Sequence, residues 1–143
     1  MQYGGNAEFN IDGERLIWGD KVYWRGAMIT DVPNLWIVAG YATASWTLGA
    51  QVTADLACRM ISNMKRKGRV SATPRLPKGG ITLKPKKTGR MGLKSGYIME
   101  GMERLPKYGL QKPWLERGSY LGDLWDVKFG NIDLHMQYTL VPK

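Results

Sequence analysis

One cysteine and one histidine in 143 residues leave little material for thiol or metal chemistry. A lone Cys58 admits no internal disulfide framework and fits a reducing, cytoplasmic setting. One His with one Cys supplies no zinc-type ligand set. No GxSxG, HExxH or P-loop sequence occurs, which removes the usual hydrolase and nucleotide-triphosphatase signatures, and no GxGxxG dinucleotide fingerprint is present either. No stretch approaches the roughly 20 apolar residues that a membrane span requires. The first five residues have no basic start and no apolar run behind them, so neither a transmembrane segment nor a signal peptide is expected.

Acidic residues are missing from a whole stretch. Positions 65–94 hold 11 Lys or Arg and no Asp or Glu, whereas the full chain has 21 basic and 12 acidic residues. The formal net charge of +9 therefore belongs to that stretch and not to the domain. With Pro74, Pro77, Pro85 and several glycines, it reads as a solvated surface connection or as an electrostatic patch for nucleic acid or an anionic membrane surface. Specific nucleic-acid recognition is not expected, because no aromatics are interleaved for base stacking and no helix or finger signature accompanies the charge.

What is present argues for a folded chain: 43% hydrophobic residues and six tryptophans are enough for a core. Positions 8–11 and 15–18 flank Asp12-Gly13, a pair suited to a tight hairpin turn. Positions 21–29 read as one further strand, with Tyr23, Trp24 and Met28 as sheet and core packing or, in a functional reading, as a pocket wall. Pro33 and Asn34 mark a turn. The unbroken apolar run at 35–39, ended by Gly40, predicts a strand buried on both faces of a parallel sheet.

A helix follows at once. Leu48, Val52, Leu56, Met60 and Met64 recur on one face, with Ala57 and Ile61 beside them, and Gln51, Asp55, Arg59 and Asn63 lie opposite. Thr43, Ser45 and Thr47 are candidate N-caps, Asp55 and Arg59 have the spacing of an ion pair, and Gly68 stops the helix. Cys58 is expected to be a buried structural thiol. Strand, tight turn and helix N-terminus together form a unit that presents free N–H groups and a positive dipole end to anionic or carbonyl-rich ligands.

Downstream, Tyr97, Ile98, Met102 and Leu105 predict a short helix closed by Pro106. Pro113 is expected to open another, carrying Trp114, Leu121, Leu124 and Trp125 as a core-facing stripe, rather than a cofactor box, as far as Gly130. Positions 132–140 alternate apolar and polar and predict a strand, with His135 and Asp133 on its wetter face. A strand histidine of this kind is read as exposed rather than catalytic.

Several of these motifs carry a resemblance. Pro33-Asn34-Leu35 with Gly40-Tyr41-Ala42-Thr43-Ala44-Ser45-Trp46-Thr47-Leu48 is similar to the PNL…GYTNASWTLKADL stretch of flavin-containing monooxygenases of the Baeyer–Villiger and related type. Gly4-Gly5, Ile11-Asp12-Gly13 and Tyr23-Trp24-Arg25-Gly26-Ala27-Met28 resemble the approach to that stretch. Ser95-Gly96-Tyr97-Ile98, Leu105-Pro106-Lys107 and Lys112-Pro113-Trp114 resemble its tail. The chain departs from the pattern at Ala42-Thr43, where Thr-Asn is common, and at Gly49-Ala50-Gln51, where Lys-Ala-Asp is common.

The resemblance implies an α/β fold that is the C-terminal part of a two-dinucleotide-binding, Rossmann-like flavoprotein and is incomplete on its own. Residues 1–68 would be the returning part of the FAD-binding domain, 69–94 a basic loop and 95–143 the C-terminal helices and last strand. The basic loop then has a third reading, as a positive rim near the pyridine nucleotide or substrate entrance. The chain would be a truncated reading frame, an internal start or an excised piece. It implies FAD and NADPH as cofactors, O2 and a small organic substrate, and a missing N-terminal part as partner. The parent reaction would insert one oxygen atom into a ketone, sulfide or amine through a flavin hydroperoxide, and this chain alone would be inactive. No catalytic and no metal-binding residue is carried over. Gly40, Tyr41, Ala42, Thr43, Ala44, Ser45 and Trp46 would lie beside the flavin ring with backbone N–H groups toward its carbonyl oxygens. Six tryptophans and a long helix without a full sheet to cover predict exposed apolar surface and poor solubility.

Overall fold

In a computed structural model, residues 8–41, 44–85 and 104–142 are described. The element order is β1 (Asn10–Ile11), β2 (Glu14–Arg15), a 3-10 turn (Trp18–Asp20), β3 (Tyr23–Trp24), β4 (Met28–Ile29), α1 (Trp46–Arg66), β5 (Arg69–Pro74), α2 (Tyr120–Phe129) and β6 (Met136–Leu140). Among the described residues the strands form three separate antiparallel pairs, β1 with β2, β3 with β4 and β5 with β6.

The first hairpin forms where Asp12-Gly13 predicts it, both residues having positive φ, 52° and 86°. The single strand expected over 21–29 is instead a second hairpin. Arg25 and Gly26 also have positive φ, 51° and 60°, and they fold β4 back onto β3 with Trp24 opposite Met28. A glycine in the middle of an apolar run was the signal for that break.

The buried parallel strand expected at 35–39 does not form. A strand needs a ladder partner, and these residues have none among those described: Ile37 N–H donates to Ala27 O at 2.7 Å as a single loop bond, and Val38 is exposed. The segment is held from its start instead. Asn34, at φ 56°, donates its backbone N–H to Ala72 O, accepts from Ala72 N–H on Oδ1 and donates Nδ2–H to Val70 O, at 3.0, 3.0 and 3.1 Å. One residue, through its amide side chain and its backbone N–H, thus stands in for a neighbouring strand along β5, and asparagine is among the few residues at ease in that backbone region.

Helix α1 forms where predicted and stops at Gly68, whose φ of 62° allows the left-handed exit, but Asn63, expected on the outer face, is buried and Ile61, expected with the apolar face, is exposed. Its inward face is Gly49, Val52, Thr53, Leu56, Met60 and Asn63. Val52, Leu56 and Met60 meet Trp24, Met28, Ala72, Trp114, Val127 and Ile132 in the main core. Arg59 does not pair with Asp55 but donates to Val127 O, while Gln51 takes Asp55. Cys58, expected to be buried, is exposed, because its position falls outside that inward stripe.

The basic stretch expected as a loop opens with β5, which pairs with β6 from Arg69 opposite Leu140 to Pro74 opposite Met136. Among its described residues four cations are engaged: Lys67 and Arg69 with Asp133, Arg75 with Asp31, Lys84 with Glu116. Positions 86–94, and the helix expected to begin at Tyr97, lie outside the described residues apart from the closing turn at Leu105 and Pro106.

Pro113 does not open a helix. The Lys112–Pro113 bond is cis and sits in a turn that buries Trp114, and α2 starts only at Tyr120, capped by Ser119 accepting from Gly122 N–H. The last strand begins at Met136. Residues 132–135 are a turn, in which Leu134 O accepts from Trp24 Nε1 at 2.9 Å and His135 has φ 56°. No helix among the described residues is long and apolar enough to cross a membrane.

Candidate functional site

The turn between Asn34 and α1 is built by close backbone approach. A Cβ placed on Gly49 would lie 2.5 Å from Ala39 O and 2.6 Å from Gly40 Cα, and one on Gly40 would lie 2.4 Å from the Trp46 ring. Two glycines therefore let the first turn of α1 touch the chain at 39–40, which any side chain would prevent. Gly49, read in the sequence as a departure from the family pattern, is what permits this contact.

Arg117 clamps the junction. Its Nη1 donates to Ala39 O and to Gly49 O, both at 2.9 Å, and its Nη2 donates to Thr53 Oγ1 at 2.6 Å. Thr53 in turn donates to Gly49 O at 3.0 Å. One planar guanidinium thus ties the turn, the helix start and the segment leading to α2 together, a fork geometry that lysine lacks. Gly26 leaves room for it, since a Cβ there would lie 3.0 Å from the Arg117 side chain.

Tyr41 forms the second tie. Its hydroxyl donates to Asp123 Oδ2 at 2.8 Å, and its ring meets Tyr120 edge-on with centroids 6.5 Å apart. Burial pushes the Tyr41 hydroxyl far above its ordinary pKa, reinforced by the hydrogen bond to Asp123. Burial also raises the Asp123 carboxyl, against the bond from Tyr41 and the charges of Arg117 and Lys112. Beneath these residues lies a cleft of about 260 Å3 lined by Arg25, Val52, Lys112, Arg117, Asp123 and Asp126. Arg25 forms an ion pair with Asp126, and burial followed by the neighbouring charge of Arg59 lowers its pKa to about 10, so it stays cationic at neutral pH.

Among the described residues no side chain caps the start of α1. Ser45 sits at the N-cap with φ −57°, but its side chain makes no cap bond and instead meets Thr47 Oγ1 at 2.7 Å. No acidic residue lies in the first turn, and the Trp46 side chain is 60% exposed. An uncapped helix end without a local carboxylate keeps its positive end available to an external acceptor.

Of the seven residues expected at a cofactor, Gly40, Ala44, Ser45 and Trp46 line this turn and helix start, while Ala42 and Thr43 lie outside the described residues. Tyr41 turns inward and is a brace rather than a surface. Arg117 and Asp123 were not legible beforehand, because 117 lies 68 residues from Gly49 and neither belongs to a motif. His135 is half-buried, its ring 5.7 Å from that of Trp114, and Asp133 is engaged by Asn63, Lys67, Arg69 and Tyr138, so the two form no dyad. Among the described residues no group of His, Cys, Asp and Glu is placed to hold a metal ion.

Comparison with known proteins finds relatives over most of the chain. The chain is 34% identical over 133 residues to the probable FAD-binding monooxygenase AlmA of Acinetobacter baylyi, covering 93% of this chain and 26% of that protein. It is 29% identical over 133 residues to the FAD-containing monooxygenase EthA of Mycobacterium tuberculosis, again 93% of this chain and 26% of the relative. It is 30% identical over 115 residues to the putative FAD-containing monooxygenase MymA of the same organism, covering 80% of this chain and 22% of MymA. No protein-family model and no solved structure matches. Over nearly all of its own length the chain is thus homologous to flavin-containing monooxygenases, and it spans about a quarter of the length of the relatives it matches.

Proposed function

We propose that the chain is the C-terminal part of an NADPH- and FAD-dependent monooxygenase that places one oxygen atom of O2 on a ketone, sulfide or amine, and that it is inactive alone. The observation that carries this reading is the similarity over 93% of the chain to proteins named for FAD and monooxygenation. In this reading the chain completes a Rossmann-like FAD domain in the cytoplasm.

The open start of α1 suits a flavin. Backbone N–H groups of Ser45, Trp46 and Thr47 would hold the electron-rich carbonyl edge of the ring, the helix dipole would favour that charge, and the Trp46 indole would exclude water from one side. FAD supplies the redox and oxygen-activating chemistry when bound. The chain's own residues bind, orient and shield: Arg117 and the Tyr41–Asp123 pair fix the turn, and the facing glycines set its height above the helix. With no GxGxxG of its own, the chain leaves the phosphates of both cofactors to the rest of the protein.

Ser45→Pro tests the reading, because φ −57° already suits proline and the change removes one N–H with little strain. In a full-length flavoprotein made by joining this chain to the remainder of the A. baylyi relative, FAD affinity measured by flavin fluorescence should fall at least tenfold. Unchanged affinity would refute the site.

A free-standing basic module acting through residues 65–94 is less well supported. Four of the seven cationic residues described there already face carboxylates of the same chain. Steeply salt-dependent retention of the isolated chain on nucleic acid or anionic lipid would favour that module instead.

A further inference from the structure

Helix α2 packs through Val127 and braces the turn through Tyr120 and Asp123, but a second face of it is covered by none of the described residues. Leu121 and Trp125, expected from their spacing to face the core with Trp114, are instead 76 and 67% exposed, and Phe129 is 65% exposed. Their spacing of four residues sets them in one row along the helix, with the Trp125 and Phe129 rings 4.4 Å apart. Large apolar side chains scattered singly need no explanation; a row of three on a ten-residue helix does.

The row starts at the candidate cofactor turn. Leu121 follows Tyr120, whose ring meets that of Tyr41, and the turn itself exposes Val38 and Trp46. The relatives are about four times as long as the segment matched, so most of their chain lies outside what is seen here. We propose that the Leu121–Trp125–Phe129 row is the docking surface for the FAD-carrying remainder of the monooxygenase, continuous with the turn at Gly40 and Trp46. This rests on the function proposed above. The occupant is an apolar protein surface next to the flavin site, not a second copy of this chain and not a membrane.

The test uses the 143-residue chain and, as probe, the A. baylyi monooxygenase expressed without its own matching segment and loaded with FAD. Binding is followed by analytical ultracentrifugation, and shielding of Trp125 by acrylamide quenching. The wild-type chain should bind with Trp125 becoming protected, and Leu121→Glu with Trp125→Glu should weaken binding at least 30-fold while leaving the far-ultraviolet circular dichroism unchanged. Ile61→Glu, an exposed position on α1, should bind like wild type. Binding unaffected by the double substitution overturns the docking surface, as does a stable dimer of the chain alone that the substitutions dissolve, or sedimentation with uncharged lipid vesicles that they abolish. Ser45→Pro separates the two readings: a variant that docks normally yet leaves FAD affinity unchanged refutes the flavin site and keeps the interface. Should the truncated probe not stay folded, the same substitutions are read in the joined full-length protein. Trp125 exposed to acrylamide there would overturn the proposal.

Discussion

Removing the Arg117 guanidinium should loosen the candidate site from within. Arg117→Ala deletes three charge-assisted hydrogen bonds, to Ala39 O, Gly49 O and Thr53 Oγ1. Such bonds contribute roughly 1.5–3 kcal/mol each in isolation, but they are not additive here. Gly49 O keeps its bond from Thr53, and Thr53 keeps its donor role, so Ala39 O suffers most. A net loss of about 2–4 kcal/mol follows. With a urea dependence of roughly 1–3 kcal/mol per molar for a small protein, the midpoint of unfolding by tryptophan fluorescence should drop by about 0.7–4 M. Arg117→Lys keeps the charge but reaches fewer of the three acceptors, and it should fall between wild type and alanine. A midpoint within about 0.3 M of wild type for Arg117→Ala would mean that the fork is ornamental and that the turn is held by the facing glycines alone.

Asn34→Ala should cost about 2–3 kcal/mol in the same assay, because Ala72 N–H loses its acceptor and alanine is uncomfortable at φ 56°; Asn34→Gly should recover only the backbone part. Equal effects of the two variants would show that the amide bonds to β5 matter and the backbone angle does not. Gly49→Ala should cost more than about 2 kcal/mol, since its Cβ meets backbone atoms that cannot swing aside, and a variant as stable as wild type would disprove the close contact. Two aspartates should give pH dependences of opposite sign. Burial pushes Asp133 up, but bonds from Tyr138 and Lys67 and the charges of Lys67 and Arg69 outweigh it and hold the carboxyl below its ordinary range. Its contribution is therefore present above the ordinary value of about 3.9 and is lost as pH falls through the depressed folded value. Solvent screening keeps it under about 1 kcal/mol. Asp123, held up by burial, contributes below the ordinary aspartate range and loses that contribution as pH rises through its raised value. Thermal unfolding of Asp133→Asn and Asp123→Asn against pH checks both signs, and parallel profiles for wild type and either variant would remove that residue from the account.

Local signals were read well where the local chain decides the outcome. Asp12-Gly13 makes its hairpin, Gly68 ends α1, and the Pro33-Asn34 turn stands where its residue types put it. The errors share a cause. The apolar run at 35–39 has the composition of a buried strand, but strand identity belongs to a pair, and no described strand lies beside it. Alternation from 132 onward looks continuous, yet Trp24 and His135 hold the first four residues in a turn. Pro113 fits a helix start by rule, and the packing of Trp114 overrides the rule. At the site, the glycines and small residues of the turn were visible as a motif, whereas Arg117 and Asp123 come from a distant segment with no pattern of its own.

The way Asn34 lies along β5 also sets a direction for assembly. A two-stranded ladder ordinarily offers two free edges, each able to recruit another extended chain. Here the β5 edge is occupied at Val70 and Ala72 by the side chain and backbone N–H of Asn34 and at Pro74 by the backbone N–H of Asp31, so pairing there would first require this turn to let go. The β6 edge has no second neighbour among the described residues and ends in exposed Leu140 and Val141. Any strand addition, whether by a fold partner or by a misfolded copy, is thereby steered to β6. Lys or Pro placed at the outward-facing positions of that strand would block both at once.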